Sequence, residues 1–329
     1  MSKTFRMFIA SCCLLCIFSC RQAPTEAIRI GISPWPGYEL LYLAQEKMFF
    51  QQAGLHVQIV EFSSLGDVLR AYEQGNIDGM ACTFTEAILA KYQSSRDPKI
   101  VSFLDFSNGA DAIIAIPGIS NIKELKDKNI GVETNSLGLF MLSRALEFNN
   151  MTLNDVRIIP MTPANQELAF NKKEIDAAVI YPPALNRLMR NSKARVLFSS
   201  ADIAREIIDI LVFDAKIIDD RKQEIVKILD IWDQTIHYVK QNTADSYKIM
   251  ADKELITPQE FHESLKGLEF LTLTEQADLF NNETLVKNNI NAMIELLKST
   301  KQISGEINVN NLLDASIINN LLKLHQGTL

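Results

Sequence analysis

Four short segments carry residue types suited to holding a small polar molecule, and each follows an apolar run. Ser33-Pro34-Trp35-Pro36-Gly37-Tyr38 sets two rings with polar tips on a loop stiffened by proline. Thr83-Phe84-Thr85-Glu86 supplies hydroxyls, backbone N–H groups and a carboxylate that suits an amine. Thr134-Asn135-Ser136 opens onto the apolar periodicity from Leu137, and the free N–H groups of a helix start favour an anion or carboxylate. Tyr181, before Pro182-Pro183, is placed to lie on a ligand from another side, and Asp105 and Asp111 leave room for a ligand with an amino group or a donor-rich ring. The expected binding set is Trp35, Pro36, Tyr38, Thr83, Thr85, Glu86, Asp105, Asp111, Thr134, Asn135, Ser136 and Tyr181. A structural alternative stands beside most of these. Trp35 and Tyr181 also fit a core, Thr83, Thr85 and Ser136 also fit helix caps, and Glu86 also fits a first-turn acid favoured by the helix dipole.

Residue types for catalysis do not assemble. His56, His237, His262 and His325 are scattered without metal-ligand spacing, and His262-Glu263 lacks the second histidine of a zinc-protease helix. No nucleophile elbow, phosphate loop or dinucleotide fingerprint is present. The acids Asp219-Asp220 fit a helix start. No catalytic residue, metal or cofactor is therefore expected. Lys and Arg number 33 against 40 Asp and Glu, for a net charge of −7 with no basic stripe, which argues against a nucleic-acid partner.

The elements that must position these segments alternate. Short apolar strands are expected at Ile28–Ile32, Leu55–Phe62, Ile77–Ala81 and Ile100–Phe106, with helices at Tyr38–Phe50, Leu65–Gln74 and Phe84–Tyr92 between them. A second series runs from the extended segment Asp111–Ile116 through strands at Asn129–Glu133, Val156–Met161, Ile175–Tyr181 and Arg195–Phe198. Its helices are expected at Leu137–Phe148, Pro163–Phe170 and Ala184–Arg190. After the apolar run Ile207–Phe213 the pattern is helical almost to the end, with no further strand, and Thr257-Pro258-Gln259-Glu260 marks one helix start as a capping box. Such alternation predicts mainly parallel sheets. Chain length suits two medium domains. The series predicts a first lobe of residues 28–111 and 214–329 interrupted by a second of residues 112–213, joined by a double crossing near Asp111–Ile116 and Ile210–Asp214. A cleft between the lobes can close on a ligand by hinge motion.

The N-terminus reads as a targeting segment. Lys3 and Arg6 precede the apolar run Met7–Phe18, which is too short to span a bilayer, and residues 1–19 fit a secretory signal peptide. Ile17-Phe18-Ser19-Cys20 resembles a bacterial lipobox, which implies a lipid (palmitate-type) anchor on Cys20 and a polar tether over residues 20–27; an ordinary signal with an incidental cysteine is the alternative. Cleavage would discard Cys12, Cys13 and Cys16 and leave Cys82 as the one thiol of the folded body, best read as a small buried residue. Loss of Lys3 and Arg6 would move the net charge from −7 to −9.

Several of these segments together resemble a known family. Ser33 to Tyr38, Leu41-Tyr42-Leu43-Ala44, Gly54-Leu55 and Gly75-Asn76-Ile77-Asp78-Gly79 are similar to the first lobe of the taurine/nitrate/sulfonate-type ABC-transporter substrate-binding proteins. Gly109-Ala110-Asp111-Ala112-Ile113-Ile114-Ala115 resembles that family's crossing segment, and residues 122–133 with Ile175-Asp176-Ala177-Ala178-Val179 resemble its second lobe. The resemblance covers about residues 28–215. It implies an α/β, type II periplasmic binding protein with two lobes, a double crossover and a ligand cleft. The implied role is a monomeric, lipid-anchored extracytoplasmic receptor that passes a small organic solute, a sulfonate, an amine or a pyrimidine-like molecule, to an ABC permease and its ATPase. Tyr181-Pro182-Pro183 departs from the Trp-Glu-Pro common in that family, so the solute does not carry over. A lobe that reports occupancy to a membrane sensor is one alternative. A thiamine-pyrimidine-synthase-like enzyme is another, but it calls for a cysteine-rich motif in the folded body that this chain lacks.

Overall fold

The computed structural model describes residues 26–282 and 284–327; the signal segment and Cys20 lie outside the described residues. The first sheet begins with β1 (Ile28–Ile32), whose Ile28, Ile30 and Ile32 are fully buried. These alternate residues face the core, Arg29 between them pairs with Asp78 at 2.9 Å, and β1 sits inside the sheet. It pairs in parallel with β2 (Val57–Glu61) and β3 (Gly79–Thr83). Helices α1 (Glu39–Glu46), α2 (Phe49–Gln52), α3 (Leu65–Glu73) and α4 (Phe84–Gln93) link these strands and lead into β4 (Pro98–Ser107). The single helix expected over 38–50 is two, because Met48 adopts a left-handed conformation (φ 59°) and the N–H groups of Lys47 and Met48 close the turn on Leu43 and Gln45.

β4 runs through the crossing residues 108–111 into β5 (Ala112–Ala115) of a second sheet, which also holds β6 (Asn129–Val132), β7 (Arg157–Pro160), β8 (Ala177–Ile180) and β9 (Arg195–Ser199). Helices α5 (Leu137–Glu147), α6 (Pro163–Asn171) and α7 (Ala184–Asn191) cover it, and the order is β7-β6-β8-β5-β9. The chain returns in β10 (Ile208–Asp214). That strand pairs antiparallel with both β3 and β4, giving the first sheet the order β11-β4-β10-β3-β1-β2 once β11 (Leu268–Phe270) is added.

Three expectations change. Both sheets are mixed rather than mainly parallel, since the strands entering and leaving the second sheet, β5 and β10, lie antiparallel to their neighbours. β10 belongs to the first sheet, so the return crossing falls before Ile208 and not at Ile210–Asp214. A further strand, β11, also occurs in the C-terminal part; its three residues pair along the edge of β4 and are too few to show alternation. The two crossings are stitched to each other. Ser107 and Ser200 share a hydroxyl hydrogen bond of 2.8 Å, Gly109 N–H donates to Ser200 Oγ at 2.6 Å, and Ser200 N–H donates to the Asp111 carbonyl at 2.9 Å.

The remaining helices, α8 (Ala215–Gln241), α9 (Thr243–Glu254), α10 (Pro258–Leu265), α11 (Leu273–Asn281), α12 (Thr284–Ser299) and α13 (Ser316–Gly327), follow the return strand. Trp232 of α8, Phe261 of α10 and Met293 of α12 join the same apolar cluster as β1, β3 and β10. A smaller cluster, including Ile114, Phe170, Ile180 and Leu188, supports the second sheet. Among the described residues no helix is long and apolar enough to cross a membrane.

Candidate functional site

The carboxyl ends of β1, β3 and β8 face one another, and the loops that leave them build a closed cleft. After β1 the N–H groups of Tyr38 and Glu39 return to the Trp35 carbonyl at 2.9 and 3.3 Å, which folds residues 33–38 into a tight turn. The Trp35 and Tyr38 rings then stand 6.3 Å apart at 53°. From the opposite sheet Tyr181 meets Trp35 edge-on, with 6.0 Å between centroids and an angle of 77°. Gly37 makes room for this arrangement, because a Cβ there would lie 2.4 Å from an Asp105 carboxylate oxygen and 2.9 Å from Trp35 Nε1. The cleft is nearly filled by its own side chains, with a cavity of about 10 Å³, and is lined by Ser33, Trp35, Tyr38, Leu65, Thr83, Asp111, Leu137, Tyr181 and Asp209.

Acids dominate its polar surface. Asp111 and Asp209 line the cleft, and Asp105, Glu86 and Glu133 stand behind it, all five 6% exposed or less. Tyr38 O–H donates to Asp209 Oδ1, and Gly66 N–H donates to Glu133 Oε1 at 3.0 Å. Glu86 Oε2 accepts from Thr83 N–H at 2.9 Å and from its hydroxyl at 2.6 Å. Among the described residues, none of these five carboxylates forms an ion pair with Lys or Arg. Burial therefore raises them all. Asp105 is pushed up to about 7 and Glu133 to about 7 by burial. Asp111 is pushed up to about 6 by burial and then by Glu86. Asp209 rises well above the usual carboxylate range through burial and the neighbouring Asp105.

Several buried polar atoms find no hydrogen-bond partner in the protein: Ser33 Oγ, Trp35 Nε1, Tyr181 Oη, both oxygens of Asp105, and one oxygen each of Asp111, Asp209, Glu86 and Glu133. Leaving one such atom unmade costs about 1–3 kcal/mol. Their concentration around one cleft marks a place prepared for something that supplies hydrogen bonds.

The lobes also meet outside the cleft. Asn186 of α7 donates to Ser264 Oγ of α10 at 3.0 Å, and Arg190 of α7 pairs with Glu260 of α10. Together with Gly66 and Glu133, these contacts hold the cleft shut.

Most of the sequence-expected residues gather here. Trp35, Tyr38, Thr83, Asp111 and Tyr181 line the cleft, while Asp105 and Glu86 stand behind it. Thr83 and Glu86 combine both expected roles, since their capping box starts α4 beside the cleft. Ser136 is buried at the α5 N-terminus without a side-chain cap, and Pro36 is buried within the loop, outside the lining. Thr85 does not point inward: its hydroxyl donates to Met293 Sδ of α12 at 3.0 Å, because successive residues of a helical turn face different directions. Thr134 and Asn135 line an outer groove with Ser299, Thr300 and Gln302. Sequence reasoning did not select Asp209, Ser33, Leu65 or Leu137. Asp209 had a signal, as the one charged residue inside the apolar run Ile207–Phe213. Cys82 is fully buried and its thiol is pushed well up by burial and by Glu86 and Asp209, so it is packed and protonated. Among the described residues no group of three or more His, Cys, Asp or Glu is placed to hold a metal ion.

Comparison with known proteins places this geometry. A family profile described as "NMT1/THI5 like" matches residues 35–246. A proposed binding protein of Brucella abortus (strain 2308) is 30% identical over 189 residues, which is 56% of this chain and 57% of that one, so the match spans little more than half of that relative. A proposed aliphatic sulfonates-binding protein of Bacillus subtilis (strain 168) is 24% identical over 311 residues, 92% of this chain and 90% of the other. Among solved structures, the alkanesulfonate-binding protein SsuA from Xanthomonas axonopodis pv. citri, bound to MOPS, superposes with a TM-score of 0.76 at 18% identity, covering 89% of this chain and 99% of that one. The desulfurization enzyme DSZB superposes at 0.65 and 12% identity, covering 90% and 99% of the two chains. The fold is thus that of periplasmic binding proteins, and it is shared with at least one enzyme.

Proposed function

The chain belongs to the NMT1/THI5-like family, and from that premise we propose that it is an extracytoplasmic solute-binding protein of an ABC importer. It captures one small organic molecule by closing two α/β lobes and presents the closed form to a permease and its ATPase. The lobes are residues 28–111 with 208–329 and residues 112–207, since β10 pairs into the first sheet. Residues 1–19 serve as the signal, Cys20 carries the lipid anchor, and the body works as a monomer at the membrane surface. The names of the Bacillus and Xanthomonas proteins support sulfonates as one candidate solute class.

One observation carries this reading. Trp35 and Tyr38 from one sheet and Tyr181 from the other close on a single cleft, several of whose buried polar atoms lack partners within the protein. With about 10 Å³ of space the closed cleft has room for no more than a water, so the lobes must part to admit a solute. Binding without catalysis is favoured by Cys82, the one thiol in the described residues, which is packed into the core beneath the cleft. The test is a thermal-shift panel of sulfonates, amines, pyrimidines and amino acids on the purified exported chain. A ligand at about 100 times its Kd adds about 2.7 kcal/mol to folded-state stability, so a true solute gives a clear upward shift in Tm. A broad panel without any shift sinks the receptor reading.

A further inference from the structure

We propose that the solute carries a protonated nitrogen, as a primary amine or an amidine, seated between Asp111 and Asp209, and that a plain sulfonate is not this protein's ligand. The inference rests on the solute-binding reading and sharpens it to a chemical class.

Three observations support it. First, the charges around the cleft have one sign. Asp111 and Asp209 line it, Asp105, Glu86 and Glu133 stand behind, and among the described residues none of them pairs with Lys or Arg. A cation favours the ionised form of both acids, which have no other counter-charge among the described residues, whereas an anionic ligand is repelled by whichever of them is ionised. Second, the unpartnered atoms are mostly acceptors. Asp111 Oδ2 and Asp209 Oδ2 are pure acceptors once ionised, the form a bound cation favours, while Trp35 Nε1 is an obligatory donor that faces Asp105. An ammonium brings three N–H donors and an amidinium four, and a sulfonate brings three acceptors to a wall of acceptors. Third, Ser33 is 2% exposed, lines the cleft, and its Oγ has no partner in the protein. As the outlying member of the set, it can accept a further N–H from the same group or donate to a neutral part of the ligand.

The aromatic frame fits the same class. Trp35, Tyr38 and Tyr181 surround the acids, and ring faces attract a cation. One feature favours the opposite sign: the α5 N-terminus at Ser136, whose side chain makes no cap. Glu133 and Glu86 already stand at that end of the helix, and Leu137 is what it presents to the cleft.

The experiment sets primary alkylamines, arylamines and amidines beside the sulfonate of the same carbon skeleton, measured by thermal shift and isothermal titration on the exported chain. Members of the amine arm are expected to bind and their sulfonate partners to fail. Asp111→Asn and Asp209→Asn should each weaken the amine by about 30-fold or more, as removal of a buried charge partner does. Ligand-free Tm values for both variants separate lost binding from lost folding, and Ser33→Ala, a small change at the rim of the same set, should weaken the amine several-fold. Binding of sulfonates alone overturns this inference and leaves the receptor reading intact. Silence from both arms overturns this inference, and the receptor reading falls with it only when pyrimidines and amino acids are silent too. Amine binding that is untouched by the two aspartate variants overturns the assignment of the seat.

Discussion

Replacing Asp111 with Asn should make the ligand-free protein less sensitive to pH, and the size of the effect follows from burial. Asp111 is 4% exposed, one of its oxygens has no partner, and its pKa rises from 3.8 to about 6. A raised carboxyl pKa means that the folded state holds the proton more tightly than the unfolded chain does. Its contribution to stability is therefore complete below the unfolded value of 3.8 and is lost as pH rises through about 6. About two units at 1.36 kcal/mol each amount to about 3 kcal/mol in all, of which roughly half is lost between pH 5 and pH 8. The groups around Asp111 are Glu86, Asp105, Asp209 and Tyr181, with Ser107 as its neutral neighbour, so nothing cationic offsets the loss.

Urea unfolding of the wild type and of Asp111→Asn at pH 5, 6, 7 and 8 measures the difference directly. The wild type should lose stability steadily over this range, with Asp105 and Glu133, both raised to about 7, adding to the decline. The variant should decline by about 1.5 kcal/mol less from pH 5 to pH 8, since an amide has no proton to give up. Parallel curves, within the roughly 10–15% error of extrapolation, would mean that Asp111 is ionised in the folded state, and the picture of an uncompensated acidic cleft would fall.

Four further outcomes follow from the same geometry. Trp35→Phe keeps a ring against Tyr38 and Tyr181 but removes Nε1, so calorimetry should show about tenfold weaker ligand binding with little change in Tm. Gly66→Ala places a Cβ 3.0 Å from Glu133 Oε1 and 3.2 Å from Asn135 Nδ2 across the closed lobes; binding should weaken by about tenfold although Ala suits the α3 helix better by about 0.5–1 kcal/mol. Arg190→Ala removes the pairing of α7 with Glu260, and stopped-flow measurements should show a faster ligand off-rate with the on-rate nearly unchanged. Cys20→Ala should shift the exported chain from the membrane to the soluble fraction on cell fractionation.

What the sequence makes legible and what it hides follow from how local each signal is. Fully buried strands such as β8 announce themselves as apolar runs, and the order strand, loop, helix places the loops after β1, β3 and β8 at one edge before any coordinates exist. Trp35, Tyr38, Thr83 and Tyr181 were reachable for that reason. Thr85 was not separable from Thr83, because the capping role and the inward role share one pattern and only the helix rotation decides which hydroxyl meets Met293. Asp209 was hidden by distance. Its value to the cleft depends on the Tyr38 hydroxyl, 171 residues earlier, and on Asp105 across the β10–β4 pairing. The charge of the cleft is therefore a tertiary property, assembled from β3–α4, β4, the first crossing and β10, none of which is unusual alone. The same reasoning explains how relatives named for sulfonates and a cleft built for a cation can share a fold. Family likeness resides in the sheets and crossings that set lobe geometry, whereas ligand sign rests on side chains such as Asp111 and Asp209, whose exchange alters the field in the cleft and leaves the surrounding core untouched.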